Sequence, residues 1–185
     1  MLGSHNTFSY LPTNNLLKIW GKCQEVDYIT QYNLGVRCFD IRVRFSKKGG
    51  IQIVHNNILY KSDNSILWDF LSFIKNKNCC IRIILDIRKQ PKDVHYQVYW
   101  FNSLLSYIQD SLKIEITEAI TFWNWEYIIK PKYPIIEMHA SVTNNIGLFK
   151  TPKKYAKKHN LQVLANNKEV LTSKNEILLI DFVNL

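Results

Sequence analysis

The chain alternates short β-branched runs with longer stretches of helical spacing. "VRCFDIRVRF" (36–45) sets Val36, Cys38, Ile41 and Val43 among interleaved charges, which predicts a strand. "IQIVHN" (51–56), after the turn-forming "KKGG", predicts a second. "CCIRIILDIR" (79–88) is nearly continuous in apolar residues, as expected of a strand covered on both faces. "YPIIEMHAS" (133–141) and "EILLIDFVNL" (176–185) read as strands, and "LQVLAN" (161–166) is compatible with another. Between them, "NSILWDFLSFIKN" (64–76) repeats Ile66, Phe70 and Ile74 at i, i+4 and i+8, with Asn64 or Ser65 to cap it. "DVHYQVYWFNSLLSYIQD" (93–110) starts at Asp93 and aligns Val94, Val98, Phe101, Leu105 and Ile108. "YITQYNLG" (28–35) is a helix end with Gly35 as its left-handed cap, and the basic stretch around Lys153–Lys158 reads as helix or loop. Strands alternating with helices imply βαβ units and a largely parallel sheet. No repeat, linker or low-complexity tract divides residues 1–185, so one domain is expected. Complete eightfold barrels use about 200 residues or more, so closing such a sheet here requires helices to be shortened or lost.

Composition narrows the partners. There are 24 Lys and Arg against 15 Asp and Glu, a formal net charge of +9, which favours polyanions: nucleic acid, an anionic membrane leaflet or a phosphorylated substrate. The basic residues are dispersed apart from "KTPKKYAKKH" (150–159), and no nucleic-acid motif is present, so nucleic-acid binding is not expected. That stretch reads either as a solvated helix face or as a patch for an anionic leaflet, and Trp123 and Trp125 read as core or interfacial anchors. No apolar run approaches the roughly 20 residues of a membrane span, and no signal-peptide pattern opens the sequence. A cytoplasmic protein touching membranes peripherally is the expectation. Cys23, Cys38, Cys79 and Cys80 show no CxxC spacing and read as reduced thiols, and no zinc site is expected.

The chemistry-bearing residues gather at strand ends, where barrel enzymes place their sites. His5 alone would pass for a solvated terminal residue. With it, however, come Asp40 and Arg42 on one face of the 36–45 strand, His55 ending the next, Arg88 ending the 79–88 strand, Glu137 and His139 near the end of "PIIEMH", and Asp181 within "LLIDFVN". Charges inside apolar strands are costly unless paired. Two histidines can serve as general base and acid, an arginine can stabilise charge on a phosphate, and a carboxylate can orient one histidine. That set suits metal-free phosphodiester cleavage by a neighbouring hydroxyl.

"GSHNTFSY", "GVRCFDIRVR" and "IVHNNILY", in that order, resemble the catalytic X region of phosphatidylinositol-specific phospholipase C; "CCIRIILDIRKQ" resembles its fourth strand and "EILLIDFVN" the closing strand of bacterial members. The resemblance implies a compact, distorted TIM-like α/β barrel with shortened or missing helices. It implies His5 as the base activating the inositol 2-hydroxyl, His55 as the acid for the departing diacylglycerol, Arg42 on the phosphate, Asp181 orienting His5 and Asp40 supporting Arg42. A cyclic inositol phosphate would form first. Arg42 stands where calcium-dependent members carry a metal-binding carboxylate, and Arg88 where another would be, so no cofactor and no metal are expected. Asn6 matches the calcium-dependent pattern; Asn56 replaces a favoured glycine and tolerates positive φ. Asn6, Arg88, Glu137 and His139 are the candidate substrate-binding residues, the last three by position alone, and residues 111–170 carry no clear likeness. Two alternatives remain: an inactive phospholipid-binding module, and a phosphodiesterase for another phospholipid or phosphodiester.

Overall fold

The structure is a computed structural model that describes residues 1–48, 50–63, 65–140 and 151–185. Its strands are β1 (Leu2–Ser4), β2 (Val36–Phe45), β3 (Ile51–His55), β4 (Ile58–Leu59), β5 (Cys80–Leu85), β6 (Glu115–Thr121), β7 (Glu126–Ile129), β8 (Ile135–Met138) and β9 (Ile177–Ile180). The helices are α1 (Lys18–Gly21), α2 (Tyr28–Asn33), α3 (Ile66–Ile74), α4 (Val94–Ser106), α5 (Pro152–Asn166) and α6 (Lys168–Thr172). Gly49 of the "KKGG" turn, the Asn64 cap and Ser141 lie outside the described residues.

One curled sheet runs β7-β6-β5-β2-β1-β9-β8. β7 lies antiparallel on β6, and the other neighbours along this path are parallel. This is the distorted, incompletely closed barrel expected, with β7 and β8 at its two edges. Continuous apolar strands line it because both faces are covered: every residue of β5 and β9 is buried. On the outer face, Phe8, Phe39, Phe70 and Phe101 join α3 and α4 to the sheet, with the Phe39 and Phe70 rings edge-on at 5.2 Å.

Three expectations change. "LQVLAN" is the second half of α5, not a strand: Asn160 and Val163 are buried three residues apart, so the short apolar run follows helical period. Ser65 precedes α3 and Asp93 precedes α4 without a side-chain capping bond; Asp27 and Thr151 do cap theirs, accepting from Thr30 N at 2.7 Å and Lys154 N at 3.3 Å. The 79–88 strand stops at Leu85, where Asp86 N turns to Val43 O at 2.9 Å, so Arg88 stands beyond its end. β6 and β7 lie in a stretch whose Glu- and Thr-rich sequence gave little apolar signal. Gly35 does adopt the left-handed conformation, φ 98°, after α2.

β2 overshoots its pairing with β5 by two residues, Arg44 and Phe45. β3 then folds back antiparallel along Val43–Phe45. His55 is therefore delivered to the barrel mouth by a hairpin, not by the end of a parallel strand.

Candidate active site

Each histidine is placed by backbone bonds before its side chain is used. His5 N donates to Ile180 O at 2.9 Å, extending the β1–β9 pairing by one residue and setting His5 beside Asp181. Gln24, fully buried, ties the same spot by donating to His5 O (3.0 Å) and Ile180 O (3.2 Å). The chain turns sharply just after His5 and His55: Asn6 has φ 50° and Asn56 φ 55°. Asparagine is the residue other than glycine that accepts this region most readily. Each asparagine N–H then donates to a buried aspartate, Asn6 to Asp40 Oδ2 and Asn56 to Asp86 Oδ2, both at 2.8 Å. Those two aspartates flank Arg42, with Nε 3.3 Å from Asp40 and Nη1 3.8 Å from Asp86. Two His-Asn turns thus hang on the two carboxylates that hold one guanidinium.

The side chains converge on that guanidinium. His5 Nδ1 lies 2.7 Å from Asp181 Oδ1, and His5 Nε2 lies 2.9 Å from Arg42 Nη2. An arginine only donates, so Nε2 accepts and Nδ1 carries the hydrogen donated to Asp181. His55 donates from Nδ1 to Gly21 O at 3.0 Å, and its ring stands edge-on to His5 at 5.9 Å between centroids. Asp181 Oδ2 also accepts from Ala140 N at 3.2 Å. His139 stacks flat on His5, 3.8 Å between centroids and 3° from parallel.

Burial governs the proton affinities. It pulls His5 well below the usual histidine range, with His139 and Arg42 adding to the effect. Burial, then Arg42, lowers His55 to about 4. Burial would raise Asp40, yet Arg42, Arg82 and His5 outweigh it and hold it low. Asp181 is raised by burial, against the pull of His139 and the Ala140 N–H.

A cleft of about 220 Å³ opens onto this cluster, lined by His5, Trp20, Cys23, His55, Arg88 and Asp181 among others. Arg88 is exposed at its rim, so it is not the second buried cation foreseen at the strand end. That cation is Arg82, which bonds Glu118 at 2.5 Å and Glu137 at 2.8 Å and lies 3.8 Å from Asp40. Glu137 accordingly faces a separate cavity on the open side of the barrel, shared with Arg82 and Glu118. Asn6 is buried outside the cleft lining, with its backbone engaged by Asp40. Asp86, Arg82, Glu118, Gln24 and Cys23 escaped the sequence reading. Arg82, inside the most apolar strand, and Asp86, adjoining it, did carry a signal: charges there need partners of opposite sign.

A curled α/β barrel with a histidine–aspartate pair, a second histidine and an arginine at its mouth defines the class. The sequence pattern of the phosphatidylinositol-specific phospholipase C X domain matches residues 2–154, and the chain belongs to that family. Over 58 residues it is 41% identical to a 1-phosphatidylinositol phosphodiesterase of Staphylococcus aureus strain Newman; that segment is 31% of this chain and 18% of the relative. The fold is shared with the phosphatidylinositol-specific phospholipase C of Listeria monocytogenes at TM-score 0.67 and 18% identity, covering 98% of this chain and 87% of that one. It is shared also with the F249X mutant of the S. aureus enzyme at TM-score 0.64 and 16% identity, covering 100% and 86%.

Proposed function

We propose that this chain is a phosphodiesterase that cleaves phosphatidylinositol-type phospholipids without a metal, through a cyclic inositol phosphate, releasing diacylglycerol. The observation that carries the reading is the Asp181–His5–Arg42 chain at 2.7 and 2.9 Å, with His55 facing it across the cleft. His5, neutral and unprotonated at Nε2, takes the proton of the inositol 2-hydroxyl while Asp181 holds its tautomer. Arg42, preoriented by Asp40 and Asp86, moves from Nε2 to the phosphate and stabilises its developing charge. His55 protonates the departing oxygen. Arg42 occupies the centre that a divalent ion would need, and Asp40 and Asp86 are committed to it, which favours a metal-free reaction.

The cleft rim supports approach to a membrane. Leu16, Leu17 and Ile19 are 93%, 53% and 50% exposed beside the cleft-lining Trp20. α1 packs on α5, which carries the exposed Lys154, Lys157 and Lys158. Apolar side chains flanked by lysines suit an anionic leaflet, each lysine worth about 1 kcal/mol near its surface. One solved S. aureus relative concerns the modulation of that enzyme's membrane binding. Among the described residues no helix is long and apolar enough to cross a membrane.

Phosphorus NMR of the protein with phosphatidylinositol micelles, with and without EDTA, tests the reading. A cyclic inositol phosphate signal that survives EDTA is expected. Its loss with EDTA would overturn the metal-free site; vesicle binding with no product would make the chain a binding module.

A further inference from the structure

The cleft contains a thiol, Cys23, that the proposed reaction does not use, beside the two histidines that it does. His5, Cys23 and His55 each offer one ligand atom, and the three atoms lie within 4.8 Å of one another. All three side chains line the same opening. We propose that His5, Cys23 and His55 form a zinc-binding site whose occupation shuts the cleft.

The chemistry of the donors supports this assignment. Two imidazoles and a thiolate are a borderline-soft set that suits Zn²⁺ and not calcium or magnesium. Bonds of about 2.0–2.3 Å to a tetrahedral ion put its ligands roughly 3.5 Å apart, so the present spacing closes by side-chain adjustment. Both histidines also carry the outer support typical of metal-bound imidazoles. His55 donates from Nδ1 to Gly21 O, and His5 from Nδ1 to Asp181, which leaves the lone pair of each on Nε2. The cleft supplies an open fourth position for water. On binding, the Cys23 S–H proton leaves to solvent and the sulfur lone pair forms the Zn–S bond.

Arg42 is the obstacle, since it holds His5 Nε2 at 2.9 Å. It has somewhere to go: Asp40 and Asp86 already lie within 3.8 Å of it and stay with it when Nε2 is given up. Asp181 and the new thiolate balance the incoming charge. A second set, His5, His139 and Asp181, is equally close, but His139 does not line the opening, so an arriving ion meets Cys23 and His55 first.

Binding is independent of the proposed reaction; inhibition rests on that reading of His5 and His55. The test is a cobalt(II) titration of chelator-treated protein, reading the near-ultraviolet thiolate-to-cobalt charge-transfer band, followed by zinc displacement. One equivalent of cobalt should produce the band, zinc should abolish it, and Cys23→Ser should remove it while weakening zinc at least roughly 100-fold. Cys79→Ser, at the half-buried neighbour of Cys80, should leave it unchanged. His55→Gln should weaken cobalt independently, which guards against a misfolded Cys23→Ser. No band in the unaltered protein, or a band that persists in Cys23→Ser, overturns the site. In the hydrolysis assay zinc should inhibit, EDTA should restore, and Cys23→Ser should hydrolyse in the presence of zinc. Cobalt bound through Cys23 with hydrolysis untouched by zinc would keep the site and overturn the acid–base assignment.

Discussion

Three of the residues at the barrel mouth share a local device. His5, His55 and Asp181 are each followed by a residue at positive φ, namely Asn6, Asn56 and Phe182. The chain ends its strand, turns at once and leaves the preceding side chain facing the mouth. Asn56→Gly should keep stability and turnover, whereas Asn56→Val should cost about 1–2 kcal/mol, readable by urea denaturation. Proton affinity is the second lever at this scale. In metal-free buffer, the unfolded chain protonates His55 near 6.5 and the folded one only near 4. Across that window the unfolded state binds more protons, so folding stability falls with falling pH, by about 3 kcal/mol in total from His55. His55→Gln should flatten the loss between pH 7 and pH 4.5. The same shift makes the acid form scarce at neutral pH, so kcat/KM should rise as pH drops from 8 towards 5; a profile that falls instead would remove His55 from the acid role. His5→Ala and His55→Ala should each lower kcat by roughly 10²–10⁴-fold with the fold intact. His139 stacks on His5. His139→Phe should retain more activity than His139→Ala, and NMR should show the His5 pKa rising in both, since His139 contributes to lowering it.

At the scale of elements, side-chain ion pairs reach where the sheet's backbone bonds do not. The edges β7 and β8 leave the barrel open, and Arg82 on β5 reaches Glu118 on β6 and Glu137 on β8 from inside it. Burial would raise Glu137, but His139 and Arg82 bring it down to about 2, so it stays ionised through the working range. Arg82→Met strands Glu118 in the interior and should cost about 3–5 kcal/mol by urea denaturation, of which Arg82→Met with Glu118→Met should recover part. Glu137 and His139, two residues apart on the β8 segment, connect this lock to the stack on His5. The segment leading into α1 serves a different end, since Leu16 and Leu17 are exposed beside the cleft. Leu16→Ser with Leu17→Ser should weaken vesicle binding and leave hydrolysis of a soluble short-chain substrate unchanged, by cosedimentation and a monomer assay.

Over the whole molecule, a net charge of +9 should make binding to anionic vesicles fall as salt rises from 0.05 to about 0.5 M, while neutral vesicles show little dependence. The same scale separates what was legible from what was not. The main parallel strands and the helices read over 64–76 and 93–110 were legible in the sequence, the folded helices being Ile66–Ile74 and Val94–Ser106, and so were His5, Asp40, Arg42, His55 and Asp181 as candidates that the fold brings together. Those features are written locally, in period-2 or period-3.6 burial and in short polar interruptions of apolar strands whose charges demand partners. Which partners they have follows from the folded sheet. A strand residue faces one side or the other, but which strand lies opposite depends on how the sheet curls. Thus Asp86 joins Asp40 on Arg42, Arg82 rather than Arg88 is the second buried cation, and Glu137 turns to the open seam. Cys23 reaches the two histidines through a loop that carries no period at all. Covalent order fixes the side chains near a strand end; chain closure over 176 residues, as between His5 and Asp181, is fixed only when the barrel curls and hydrogen bonds bring its first and last strands together.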